Sequence, residues 1–441
     1  MPPDPDPNDP LGLGRLFGPD MMGQLQRLMS WSGGPVNWDL ATDVARQALD
    51  ADDPELTTEQ VRGTAEAGRL ADVWLDGLTS LPSAGGETQA WTRRAWLATT
   101  LPAWKQLVDP VAGRVTAALG TAVQTGLQGD ALPPELAGLL SGAGPNPFAG
   151  VMQQVGGVVF GAQVGQALGV LGAEVLGSTE IGIPLGPSAL VPANVDAFAQ
   201  GLEVPPDEVR LYLVLREAAH QRLFAHVPWL RAHLFDAVDA YGRGIEVDPG
   251  ALERAIGSLD LSDPAAAQEA MASGLFEIAP TQAQQAALER LETALALVEG
   301  WVDLVVDSAA SGRLPHAAAL RETVRRRRAS GGPAEQTFAT LVGLQLRPRR
   351  LREAAALWAR ITLERGAEGR DALWAHPDLL PGPADLDDPL SWGEASADPE
   401  VESGDWDAAL RALDSDLDGV PDEPGPPEPT GDDPGPDGPV A

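Results

Sequence analysis

The chain has 441 residues, and its 30 Lys and Arg residues against 64 Asp and Glu give a formal net charge of −34. This charge argues against general electrostatic binding to nucleic acid phosphates or to an anionic membrane, so we expect neither as a partner. The chain has no cysteine, which excludes disulfides, thiolate metal sites and cysteine nucleophiles, so any metal ligand must come from His, Asp or Glu.

The N-terminal extension, residues 1–36, is rich in Pro and Asp at its start and lacks the basic and apolar parts of a secretory signal, which predicts a cytoplasmic protein. A helical region is predicted over residues 37–145. Within it, Asp39 can begin a helix that runs to residue 49, and Thr58 can begin a longer one that runs to residue 78.

Residues 146–380 are predicted to form a mainly helical core. The segment 148–176 carries no charge before Glu174, and every fourth residue in part of it is glycine, at Gly157, Gly161, Gly165 and Gly169. This spacing lays a flat groove along one helix face that another backbone can approach closely. Tight packing inside a soluble fold is the favoured interpretation. Membrane contact is the alternative, and it is disfavoured by the glutamines and by the lack of flanking basic residues.

Strand patterns are scarce. Residues 181–185 and 189–195 are short, β-branched segments bounded by Gly or Pro, which predicts at most a small hairpin. The predicted fold class is therefore mainly α: a multi-helix domain followed by an acidic tail. That tail, residues 381–441, holds 18 acidic residues against the single Arg411, and its Pro and Gly content predicts that it is largely disordered.

Two charge clusters permit alternative interpretations. Arginines crowd residues 321–328 and recur at Arg347, Arg349, Arg350 and Arg352; we expect them to neutralise carboxylates of the same protein, with phosphate binding as the alternative. In the tail, alternate carboxylates surround Gly419 and form a weak calcium candidate. These are Asp414, Asp416, Asp418 and Asp422. The Glu that an EF-hand loop needs at its twelfth position is absent, so a solvated run of charge is favoured there.

Two helical segments could combine into a polar site. Glu217 and His220 lie three residues apart and share one helix face, while Asp303 lies one turn beyond Glu299 on a later helix. A base, an imidazole and two carboxylates can be gathered in this way. Residue types alone favour helix-surface partners and a structural histidine.

Several long phrases follow one another along the chain: GGPVNWDLA at 33–41, REAAHQRLFAHVPWL at 216–230, LALVEGWVD at 295–303, RRRRASGGPAE at 325–335, LVGLQLRPRRLREAAALW at 341–358 and RDALWAHPDLLP at 370–381. In this order they resemble the actinobacterial zincin-like metallopeptidase family, which is related to a group associated with deazaflavin-cofactor biosynthesis. The resemblance covers residues 11–392.

The resemblance implies a zincin-like helical domain and roles for individual residues. In the motif H-E-x-x-H, Glu217 corresponds to the general base and His220 to the second zinc-binding histidine. Glu299 is then the expected third ligand, with Asp303 supporting it. Arg216 stands where the first histidine belongs, and a guanidinium has no lone pair to give a metal. We therefore hypothesise that Arg216 pairs with Glu299 as a cation that replaces the metal.

Three function classes follow. The family implies a zinc-dependent metallopeptidase or hydrolase. The departure at Arg216 suggests a catalytically inactive binding or scaffold protein, without a cofactor and with an unknown protein or peptide as partner. Hydrolysis without a metal is a distant third, because the chain has no nucleophile-elbow pattern.

Overall fold

A computed structural model describes residues 33–50, 52–126, 147–245, 281–329 and 350–389, together with Trp392. By compactness, the chain divides into two units, Met1–Leu390 and Ser391–Ala441. The calcium candidate lies outside the described residues, as do Arg347, Arg349 and all of the predicted tail except residues 381–389 and Trp392.

The described residues are mainly helical, which confirms the predicted fold class. They form α1 (Trp38–Asp50), α2 (Thr58–Leu75), β1 (Gln89–Ala90), α3 (Arg93–Gly126), α4 (Pro147–Glu174), β2 (Ala189–Leu190), α5 (Pro192–Ala199), α6 (Pro206–His226), α7 (Pro228–Arg243), α8 (Gln282–Ala310), α9 (Ala317–Ala329), α10 (Leu351–Ala372), two short 3-10 helices (Leu373–Ala375 and Pro377–Leu379) and α11 (Pro383–Asp387).

Local sequence signals explain where several helices begin and end. Thr57 caps α2 and Thr281 caps α8, and each forms a reciprocal capping box with the glutamine three residues later. Such a cap satisfies backbone donors that the first helical turn leaves unpaired. Helix α2 ends at Leu75, three residues earlier than the sequence pattern predicts.

The one sheet among the described residues is a two-residue parallel pair rather than the expected hairpin. In it, Gln89 pairs with Ala189 and Ala90 pairs with Leu190. Residues 181–185 form turns and coil. The predicted strand at 189–195 is thus correct only over its first two residues. Their partner strand lies a hundred residues earlier in the chain, and no local sequence pattern indicates that pairing.

The glycine-rich face of α4 packs directly on α1, as the favoured interpretation predicts. The Asn37 amide donates to the Gly157 carbonyl at 2.8 Å. A Cβ on Gly161 would lie 2.6 Å from the Asn37 carbonyl oxygen, and one on Gly165 would lie 2.6 Å from that of Ala41. Only glycine permits this approach, and it joins helices from the two sides of the predicted boundary at residue 145.

One described segment, Gly156–Glu174, is long and apolar enough to cross a membrane by length and composition, and half of its most apolar window is buried in the protein. Because the buried half includes the face that contacts α1, packing within the protein accounts for its low polarity.

Helices α6 and α8 lie side by side at the centre. Each carries long runs of consecutive buried residues, the pattern of a helix enclosed on all sides. The indole of Trp358 in α10 donates to the Leu297 carbonyl of α8 at 2.8 Å, and α7 packs along the same helix. Charged side chains within these buried runs are therefore removed from solvent and require partners within the protein.

Candidate functional site

The two central helices bring together the residues that the sequence nominated. Helix α6 supplies Arg216, Glu217 and His220, and α8 supplies Glu299 and Asp303; all five are buried. The Arg216 Nη2 atom lies 2.7 Å from Glu299 Oε2. The hypothesised ion pair between Arg216 and Glu299 is therefore present in the structure.

Glu299 is the hub of the cluster. Its Oε2 accepts from Arg216, while its Oε1 lies 2.7 Å from Arg328 Nη1 and 2.9 Å from His220 Nε2. Burial alone would raise the pKa of Glu299, but Arg328, His220 and Arg216 together hold it well below its ordinary value. The carboxylate is therefore ionised, and N–H groups of the surrounding side chains contact both of its oxygens.

The His220 ring lies between two hydrogen-bond acceptors. Its Nδ1 is 2.8 Å from the backbone oxygen of Arg216, and its Nε2 is 2.9 Å from Glu299 Oε1. The backbone carbonyl and the ionised carboxylate can only accept hydrogen bonds, and the ring nitrogen that donates to each of them is set by the tautomer. Both ring nitrogens therefore lie within hydrogen-bond distance of groups of the protein itself.

Glu217 is held by neutral donors from the loop after α4 and from its own helix. Ser178 donates a short hydrogen bond to Oε1, and Gln221 donates to the same oxygen at 3.1 Å. Thr179 donates to Oε2 from its hydroxyl at 2.7 Å and from its backbone at 3.2 Å. Its hydrogen bonds therefore link α6 to that loop.

Asp303 contacts cations of α9, and its expected role in supporting a metal ligand stays a prediction. Its Oδ2 accepts from Arg321 Nη2 and from Arg325 Nη2, both at 2.6 Å. Asp303 lies one helical turn after Glu299 on α8, and both carboxylates contact arginines of α9.

Asp303 does influence the cluster through its charge. Burial lowers the pKa of the Arg216 guanidinium, but Glu299, Tyr212 and Asp303 outweigh that effect and raise it. Arg216 is therefore a permanent cation. Tyr212 lies one turn before it on α6, and burial raises its pKa to about 12, so its phenol is neutral.

The arginine-rich segment neutralises carboxylates of the same protein, which confirms the favoured interpretation for the described members. The pairs join Arg321 to Asp303 and Asp307, Arg325 to Asp303, Arg326 to Glu322, Arg327 to Glu180, Arg328 to Glu299, Arg350 to Asp387 and Arg352 to Glu322. Individual pairings were not predicted, and neither were the contacts of Ser178 and Thr179 with Glu217.

A small cleft opens beside this cluster, with about 30 Å³ of space for water-sized molecules. Leu176, Leu190, Leu213 and Val324 give it apolar walls. Its polar lining includes Thr179, Glu180, Arg216, Glu217, His220 and Arg328.

The donor set does not fit zinc as it stands. Within the part of the chain that the structure describes, no three His, Asp or Glu side chains are grouped so that they could hold a metal ion. His220 and Glu299 approach each other to 2.9 Å, whereas two ligands of a tetrahedral zinc at about 2.0 to 2.1 Å would be about 3.3 Å apart. Two guanidinium groups occupy the remaining contacts of Glu299.

Residues 36–392 match the sequence model of a family described as zincin-like metallopeptidase. The chain belongs to this family. Among solved structures, the protein is similar to one described as a "putative hydrolase with a novel fold" from Chloroflexus aurantiacus, with a TM-score of 0.56 and 17% identity. That similarity covers 81% of this chain and 97% of the other, and at this identity it shows a shared fold. No curated protein matches.

Membership of the zincin-like family gives the buried cluster a context. The correspondence of REAAH, residues 216–220, to a zinc-binding motif, with Arg216 in the place of its first histidine, stays a prediction from the sequence resemblance.

Proposed function

We propose that this member of the zincin-like family is a catalytically inactive binding or scaffold protein, with an Arg216–Glu299 ion pair in place of the metal. The observation that carries the proposal is the engagement of both Glu299 oxygens by guanidinium groups at 2.7 Å. A carboxylate bound in this way has its charge compensated within the protein.

Electrostatics supports this exchange of a metal for arginine. Arg216 remains protonated at ordinary pH and cannot coordinate a metal. A divalent ion about 4 Å from one fixed positive charge is repelled by roughly 8 kcal/mol at an effective dielectric constant of about 20. Zinc binding at His220 and Glu299 would have to overcome that repulsion with one ligand fewer than the motif provides.

The environment of Glu217 also argues against catalysis. A general base must have an oxygen within hydrogen-bond reach of the proton that it removes. Here Ser178 and Gln221 occupy one oxygen and Thr179 occupies the other. In the proposed protein Glu217 anchors the loop after α4, which forms one wall of the cleft.

The cleft suggests the kind of partner. We propose a peptide or a segment of another protein as the ligand class, in the cytoplasm, which would contact the apolar and charged residues around the mouth of the cleft, because the space inside it holds only a water-sized group. Actinobacterial origin and a link to deazaflavin biosynthesis stay predictions from the sequence resemblance.

A zinc-dependent hydrolase, most naturally a peptidase, is the second candidate. Family membership favours it, as does the position of Glu217 and His220, which both line the cleft.

Calorimetric titration of the untagged protein with zinc chloride, combined with a peptide-library hydrolysis assay, separates the two candidates. The proposal expects no saturable stoichiometric zinc binding and no hydrolysis above the buffer rate, with or without added zinc. Stoichiometric binding together with hydrolysis that is lost in Glu217→Gln would contradict it and establish the second candidate.

A further inference from the structure

A second arginine reaches the carboxylate that would hold the metal. Arg328 lies in the last turn of α9, and its side chain is 11% exposed. Its Nη1 is 2.7 Å from Glu299 Oε1, and its Nη2 donates to the backbone oxygen of Glu180 at 2.6 Å. The guanidinium therefore bridges α8 and the loop after α4.

We infer that Arg216 and Arg328 together form a two-part substitute for a divalent cation, and that Arg328 blocks the metal position even when the motif histidine is restored. The inference rests on the proposed function, because it assumes that the native cluster is metal-free. It adds a residue outside the motif, on a separate helix, as the second determinant of that state.

The geometry explains why two arginines are involved. Arg216 contacts one oxygen of Glu299 and Arg328 contacts the other. Each guanidinium carries one positive charge, and the two together match the formal charge of a zinc ion. His220 shares Oε1 with Arg328. A metal that bridged His220 and Glu299 would lie at this shared oxygen, in direct contact with the Arg328 guanidinium.

The assignment is specific to Arg328 within α9. The other described arginines of this helix pair elsewhere: Arg321 and Arg325 with Asp303, Arg326 with Glu322 and Arg327 with Glu180. Arg326 is 78% exposed on the side chain, which makes it a matched control on the same helix.

Three variants test the inference by titration with zinc chloride: Arg216→His, Arg216→His with Arg328→Gln, and Arg216→His with Arg326→Gln. We expect the variant that lacks Arg328 to bind one zinc per chain at least about 100-fold more tightly than Arg216→His, because a like charge in contact with the ion is removed. The Arg326 control should match Arg216→His. Equal affinity in all three variants would overturn the inference.

Thermal unfolding covers the case in which the double variant does not fold without metal. Zinc should then restore a cooperative transition in the variant that lacks Arg328, since metal binding can supply folding free energy. Failure of zinc to restore it would overturn the inference. Zinc binding by the unaltered protein would instead refute the proposed function, and tight binding by Arg216→His alone would refute only the role of Arg328.

Discussion

Replacing Arg216 by methionine removes one cation from the buried cluster while keeping most of the side-chain volume. The side chains of Arg216 and Glu299 are 8% and 2% exposed, so their ion pair is desolvated. Breaking a buried pair by removing one partner costs about 3 to 5 kcal/mol. Because Glu299 keeps Arg328 and His220, we expect the lower end, a loss of about 3 kcal/mol in the free energy of unfolding.

Urea unfolding followed by tryptophan fluorescence measures this loss, since the chain contains 12 tryptophans. Arg62 is the matched control: it forms an exposed pair with Glu66 within one helix, and Arg62→Met should cost less than about 0.5 kcal/mol. An Arg216→Met variant that is as stable as this control, with an unchanged dependence on urea, would refute the reasoning.

The cluster also predicts strong coupling. Glu299→Gln leaves Arg216, Arg328 and His220 without their shared anion, so it should cost at least as much as Arg216→Met. Combining the two substitutions should cost less than the sum of the single losses by about 1 to 3 kcal/mol, because the same interaction is removed twice. Simple additivity would show that the pair contributes nothing.

Three further predictions concern the rest of the fold and the site. Gly165→Val should lower the free energy of unfolding by at least about 1 to 3 kcal/mol, because its Cβ would lie 2.6 Å from a backbone oxygen of α1. The control Gly113→Ala, whose new Cβ would have its nearest contact at 3.8 Å, should be nearly neutral. Equal urea midpoints for the two variants would contradict this prediction. Ser178→Ala should cost about 1 to 3 kcal/mol in urea unfolding by leaving a buried oxygen of Glu217 with fewer donors, and an unchanged stability would mean that this hydrogen bond is dispensable. Burial alone would raise the pKa of Glu299, but the surrounding cations hold it below 4.5 in the folded state. The contribution of the ionised carboxylate to the free energy of unfolding is therefore complete above about pH 4.5 and is lost as the pH falls below that value. The stability of Glu299→Gln should fall less steeply in acid than that of the unaltered protein, and parallel profiles would count against the ion cluster.

Features that depend on local pattern were predictable from the sequence. The glycine spacing in α4 indicated a close helix contact, and α1 fills it. The spacing of Glu217 and His220 placed both on one face of α6. The Arg216–Glu299 pair followed from a mismatch: a permanent cation stood where the motif requires a metal ligand.

Features that depend on distant parts of the chain were not predictable. Strand β2 pairs with β1, which lies a hundred residues earlier in the chain, and no local signal indicates that pairing. The neighbouring segment 181–185 has a strand-like pattern, so the sequence predicts it as the partner instead. The arginine run indicated neutralisation, but its pairings follow from the rotation of α9 against α8. In this orientation Asp303 contacts Arg321 and Arg325, and Glu299 contacts Arg328. No pattern in a single sequence specifies how two helices are oriented against each other.

The metal content of the protein tests the central claim most directly. The protein should be purified without a metal-binding tag and without chelator, then analysed for zinc by mass spectrometry against its measured concentration. We predict zinc well below one atom per chain, with thermal stability that chelator treatment leaves unchanged. Near-stoichiometric zinc, with a fall in stability when the chelator removes it, would contradict a cluster in which arginine has replaced the metal.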